Sequence, residues 1–100
     1  MIIIKTTLPN EGIVRKVIKH LIKQKLISSA NFFPMKSVST WTGNMNEVSE
    51  FIVFLKTRNT FWDKVRNELK KIHPYDIPCI IKIEGECNKE YDDWVTEKTK

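Results

Sequence analysis

The side chains with chemical potential gather in one short stretch, His73-Pro74-Tyr75-Asp76-Ile77-Pro78, followed at once by Cys79. Each proline lacks an N–H and fixes φ, so no regular element can run through the stretch. The residue before a proline is driven toward extended geometry, which makes His73 the first residue beyond a preceding helix. An imidazole and a phenol two residues apart on a stiff crossover are held at fixed positions. A nucleophilic thiol would need a base and a third, orienting group. Cys79 has His73 nearby in sequence but no evident third member.

Other chemistries leave weaker traces. A zinc site needs three or four closely spaced Cys, His or carboxylate ligands, and the two histidines and two cysteines are scattered. Copper, which accepts imidazole and thiol, is the better match to the types present, with His73 the best-placed ligand. Phosphate cradles need glycine-rich loops; the three glycines, Gly12, Gly43 and Gly85, stand alone. RNA-binding sheets stack bases on aromatics of their central strands. Ile2-Ile3-Ile4-Lys5 has none, and Phe51 and Phe54 point to opposite faces of a strand.

The elements around the crossover can be read from periodicity. Ile2–Thr7 is β-branched and apolar, a strand closed by Pro9-Asn10. Asn10 caps a helix running to about Leu26, with Ile13, Val17 and Leu21 on its apolar face. Ser28–Thr42 reads as a strand with a bulge at Pro34, Gly43–Asn46 as a turn and Glu47–Thr57 as the returning strand of a hairpin. Asn59 or Thr60 caps a second helix whose inner face is Phe61, Val65, Leu69 and Ile72. Cys79–Ile83 is a fourth strand, and Asn88 caps a last helix bearing Tyr91, Trp94 and Val95. Residues 1–100 thus form a single α+β domain of order β-α-β-β-α-β with an added C-terminal helix. Burying both helices on one face of an antiparallel sheet gives the ferredoxin-like sandwich.

Composition narrows the partners. The net charge is +5, with Arg15, Lys16, Lys19, Lys23 and Lys25 crowded into the first helix and acidic residues concentrated between Glu84 and Glu97. Such a basic run reads first as a solvated helix face, so nucleic acid is not an expected partner. No apolar run approaches the roughly 20 residues of a membrane span, and no leader-like segment precedes Lys5, so the cytoplasm is the expected compartment. Cys79 reads as a small buried hydrophobe and Cys87 as an exposed thiol. Trp41 and Trp94, large aromatics at element ends, suit an interface between subunits.

The ordered motifs resemble those of a known family. Asn31 and Pro34 match an Asn-x-x-Pro motif, and Ser37-Val38-Ser39-Thr40-Trp41-Thr42-Gly43 resembles a Ser-x-Tyr-x-Trp-x-Gly strand end. Glu50 and Leu55-Lys56-Thr57 match the third strand. His73-Pro74-Tyr75-Asp76-Ile77-Pro78 matches a His-Pro-Tyr-x-x-Pro crossover, and Tyr91-x-x-Trp94 the final helix. The chain is identified on these motifs as similar to the CutA divalent-cation tolerance proteins. The resemblance implies a non-enzymatic homotrimer, like the PII signalling proteins in shape, that responds to metal ions. It implies copper or another divalent cation at His73, and intersubunit clefts bordered by Trp41, Lys56, His73, Tyr75 and Trp94. Thr6 and Ile72 stand where some members carry Cys and His, leaving His73 alone of that ligand set. The alternative is a PII-like trimeric scaffold or signalling protein with no physiological metal of its own.

Overall fold

A computed structural model describes residues 1–40 and 43–100. Four strands form one antiparallel sheet in the order β2-β3-β1-β4: β1 Ile2–Leu8, β2 Ser29–Ser39, β3 Asn46–Thr57 and β4 Ile80–Glu84. Helix α1 (Glu11–Lys23) joins β1 to β2, α2 (Trp62–Ile72) joins β3 to β4, and α3 (Lys89–Lys98) ends the chain. This is the ferredoxin-like arrangement that the alternation of patterns predicts.

The helices bury one face of the sheet. Ile2, Ile4 and Leu8 of β1 and Val53 and Leu55 of β3 meet Val14, Val17 and Leu21 of α1 and Val65 and Leu69 of α2 in a single core. Strand side chains alternate with period two, so this assignment fixes the opposite face as well. There Ile3 pairs with Lys56, Lys5 with Phe54 and Thr7 with Ile52. Phe33 adjoins from β2, and Ile81 and Ile83 from β4. Phe33 is 51% exposed, Ile81 45% and Ile83 40%. The face opposite α1 and α2 is therefore apolar and largely uncovered. Phe51 packs toward the core while Phe54 lies on the open face beside Phe33, the split that argued against base stacking.

Several boundaries differ from the sequence expectation, each for a local reason. The register of β2 against β3 runs unbroken from Ser29↔Lys56 through Pro34↔Phe51 to Ser39↔Asn46. There is no bulge at Pro34: β2 is an edge strand, where a missing N–H need not break the ladder. Helix α1 stops at Lys23 rather than near Leu26. Lys25 adopts φ 59°, its N–H donates to the Ile22 carbonyl at 2.9 Å and that of Leu26 to the Leu21 carbonyl at 3.0 Å. Those two bonds form a Schellman stop with lysine in the position usually held by glycine. Asn59 and Thr60 do not cap α2; they lie in a 3-10 turn, Asn59–Phe61, that seats Phe61 in the core before the α-helix begins at Trp62. Asn88 precedes α3, but its side chain caps no backbone N–H and donates instead to Glu90 at 3.2 Å. Cys79 is half-buried rather than buried, and Cys87 is exposed.

Strand lengths give the molecule its shape. β3 meets β1 only from Phe51 to Thr57, so Met35–Ser39 and Asn46–Glu50 continue as a two-stranded arm beyond the body. The extents are 45 × 24 × 21 Å.

Candidate functional site

His73 closes α2 in an extended conformation, φ −72° and ψ 134°, its own N–H donating to the Leu69 carbonyl. That is the geometry Pro74 imposes. The crossover carries the imidazole to the end of β1, where β4 pairs only as far as Thr6. The Thr7 carbonyl lies one residue past that point. His73 Nε2 lies 3.0 Å from that carbonyl and 3.1 Å from the Thr6 hydroxyl. On the other side of the ring, the Tyr75 N–H donates to Nδ1 at 3.1 Å.

These partners fix the tautomer. A backbone N–H can only donate, so Nδ1 is bare; a carbonyl can only accept, so Nε2 carries the proton. His73 as a whole is 8% exposed. Burial holds its pKa below the usual histidine value of 6.5, partly offset by the Thr7 carbonyl and the charge of Glu50. Both nitrogens are thus engaged, and either would have to release a hydrogen bond before binding a metal. Thr6 supplies a hydroxyl where a thiolate would suit copper, and Ile72 lines a groove between the helices with no donor atom. Among the described residues no three His, Cys, Asp or Glu side chains cluster as a metal set. Within one chain, the donors around His73 do not fit a copper ion.

Tyr75 stacks obliquely against His73, ring centres 5.0 Å apart, and its hydroxyl donates to Glu50 Oε2 at 2.7 Å. Burial and the neighbouring carboxylate together raise the phenol's pKa well above 10. Glu50 and Tyr75 line a cavity of about 620 Å³ between the hairpin arm and the crossover. Ser37, Ser39 and Ser49 add hydroxyls, Asp76 a second carboxylate and Ile77 an apolar rim. Among the described residues its lining includes no lysine or arginine. The cavity therefore offers hydrogen-bond acceptors and negative charge to whatever enters it.

Lys56 and Trp94 lie elsewhere. Lys56 Nζ bonds to Asn31 Oδ1 and sits 5.9 Å from the centre of the Tyr91 ring. Trp94, 38% exposed, stacks on the other aromatic of α3, Tyr91, at 5.6 Å. Ile3 pairs with Lys56 and Thr7 with Ile52, so this second group is about 13 Å along the sheet from His73 at some 3.3 Å per residue. Trp41 lies outside the described residues. One subunit thus brings His73 and Tyr75 together and holds Lys56 and Trp94 apart from them. Glu50, Asn31 and Tyr91 complete the two groups and were not among the sequence candidates. Glu50 was visible in the sequence only within the third-strand motif match, with nothing to mark it as the partner of Tyr75.

A family model described as CutA1 divalent ion tolerance protein matches residues 2–98. The chain belongs to the CutA family. The divalent-cation tolerance protein CutA of Pyrococcus horikoshii is 39% identical over all of this chain and 99% of its own length. Its counterpart in Thermus thermophilus is 31% identical over 97% and 96%. A crystal structure of Pyrococcus CutA1 superposes with a TM-score of 0.97 over 100% and 99% of the two chains, at 38% identity. A PII-like CutA from a Nostoc species, at 23% identity and covering 100% and 98%, shares the fold with a TM-score of 0.94.

Proposed function

We propose that this CutA-family chain acts as a non-catalytic homotrimer in divalent-cation tolerance, with ligand-binding clefts where subunits meet. The observation that carries this reading is the sheet face on which Phe33, Ile81 and Ile83 are exposed beside half-buried Ile52 and Phe54. An apolar surface of this kind on a small domain marks an association site, and a domain of 100 residues leaves much apolar area outside its own core. Assembly would also account for the split between the two residue groups. A cleft shared by subunits can set the His73–Tyr75–Glu50 end of one chain against the Lys56–Trp94 end of its neighbour. The proposal sets the protein in the cytoplasm, where the free thiols of Cys79 and Cys87 stay reduced.

The second reading, a PII-like scaffold without a metal of its own, draws on His73. Both its nitrogens are occupied inside the chain, and the groups at Thr6 and Ile72 are poor copper donors. A native mass spectrum of the reduced protein with copper titrated in separates the two. A trimer at micromolar concentration supports the assembly, and a monomer alone overturns it. One copper per subunit, lost in His73→Ala, favours a metal site; a trimer that ignores copper favours the scaffold.

A further inference from the structure

The charge of this protein is concentrated on one layer. Glu11–Lys25 and Trp62–Ile72 together hold nine Lys and Arg against three Asp and Glu, whereas the rest of the chain holds eight against nine. The helical layer therefore carries the whole net positive charge. It lies opposite the open sheet face and is distinct from the Glu50–Tyr75 cavity.

Between α1 and α2 runs a groove of about 400 Å³ with an apolar floor of Ile13, Val17, Ile72 and Pro74. His20, which lines it, bridges to Glu68 of α2 at 3.1 Å. Lysines stand on both helices that bound it. Lys16 lines the groove, and Lys23, two turns on, shares its face of α1. On α2, Lys64 and Lys71 are spaced with Glu68 at i, i+4 and i+7, on the side that the His20 contact turns toward α1. All four lysines are exposed. Glu68, the one acidic side chain on these facing surfaces, is already engaged by His20.

We infer that this groove docks an acidic amphipathic helix of a partner protein. The apolar floor would take a stripe of leucine-like residues at helical spacing, and the four lysines would meet acidic residues on both flanks, a helix-in-groove mode of recognition. Charge complementarity selects the partner's sign and speeds its approach. A nucleic acid would use the lysines but leave the apolar floor without a partner. A bilayer surface needs protruding apolar groups, and this floor is concave.

The test uses the full chain and fluorescence anisotropy at moderate salt. The probe is a labelled 16-residue peptide of Leu and Glu with leucines at i, i+3, i+4 and i+7. Controls are the same composition scrambled, oligoglutamate of equal length and a single-stranded DNA oligonucleotide. The expected result is binding of the amphipathic peptide at least tenfold tighter than any control. The Lys16→Glu/Lys71→Glu variant, altered only at exposed positions and checked for an unchanged circular dichroism spectrum, weakens that binding tenfold or more. Ile13→Asp weakens it comparably by spoiling the floor. Equal affinity for the scrambled peptide, oligoglutamate or DNA would reduce the surface to a general polyanion binder and overturn the inference. So would no binding, or binding indifferent to these substitutions.

Discussion

The backbone N–H of Tyr75 donates to Nδ1 of His73 at 3.1 Å, and that bond decides where the imidazole proton sits. Two-bond ¹H–¹⁵N spectra at neutral pH should show the proton on Nε2 and Nδ1 bare. Protonation would put a second N–H against that of Tyr75. Because burial lowers the folded pKa below 6.5, the unfolded chain binds the proton more readily. The neutral ring's contribution is complete above about pH 6.5 and is lost as the pH falls from there toward the folded value. Denaturant midpoints at fixed protein concentration should fall over that window, and the fall should shrink in His73→Asn.

The Tyr75–Glu50 bond makes a separate prediction. Tyr75→Phe removes one hydrogen bond at a half-buried site and should cost about 1 kcal/mol. Glu50→Gln should lower the ionisation midpoint of Tyr75, followed by ultraviolet absorbance, but leave it above 10. Burial is the largest single cause of the shift and stays in the variant, while the Glu50 carboxylate adds to it through its hydrogen bond and its charge.

Lys25 is the one residue other than glycine with a positive φ among the described residues. A left-handed lysine costs roughly 1–2 kcal/mol, against about 0.5–1 kcal/mol of added chain entropy for glycine. Lys25→Gly should therefore stabilise the fold by up to about 1 kcal/mol, measured as an increase in urea midpoint with unchanged slope.

Arg58 ties down the chain's end. Its guanidinium bonds to the Thr96 and Thr99 carbonyls and its Nε to the Thr99 hydroxyl, while its plane covers Phe61 at 4.8 Å. Arg58→Ala should cost about 2 kcal/mol. It should also speed amide exchange across Lys89–Lys98 far more than in α1. Lysine at this position should restore little, because it lacks the planar fork.

What was legible in the sequence was what periodicity encodes. Ile13, Val17 and Leu21 marked the inner face of α1, and the apolar run at Phe51–Leu55 marked the inner strand of the hairpin. What was not legible depended on contacts between distant segments. Pro34 passes through β2 without a bulge because β2 lies at the edge, a property of strand order. The end of α1 was hidden because a lysine, not a glycine, turns the chain. His73 was conspicuous, yet its partners Thr6 and Thr7 are separated from it by nearly the whole fold, and only the point where β4 stops pairing with β1 explains the contact. Lys56 and Trp94 drew attention beside it without sharing its neighbourhood, because motif matching gives membership of a family and no distances.

The hairpin arm has no layer of its own. Past Phe51 its two strands pair only with each other, Tyr75 reaches only the base of the arm at Glu50, and an isolated two-stranded ribbon is marginal in water. It exposes Val38 at 59% and Val48 at 47%. A solitary chain is then a finished body with an unfinished limb, vulnerable to any protease that accepts an extended substrate. Assembly, as proposed, would shield that limb by mass action. Cellular turnover would remove orphaned copies and spare assembled ones, so the amount of protein would track successful encounters between chains rather than synthesis alone.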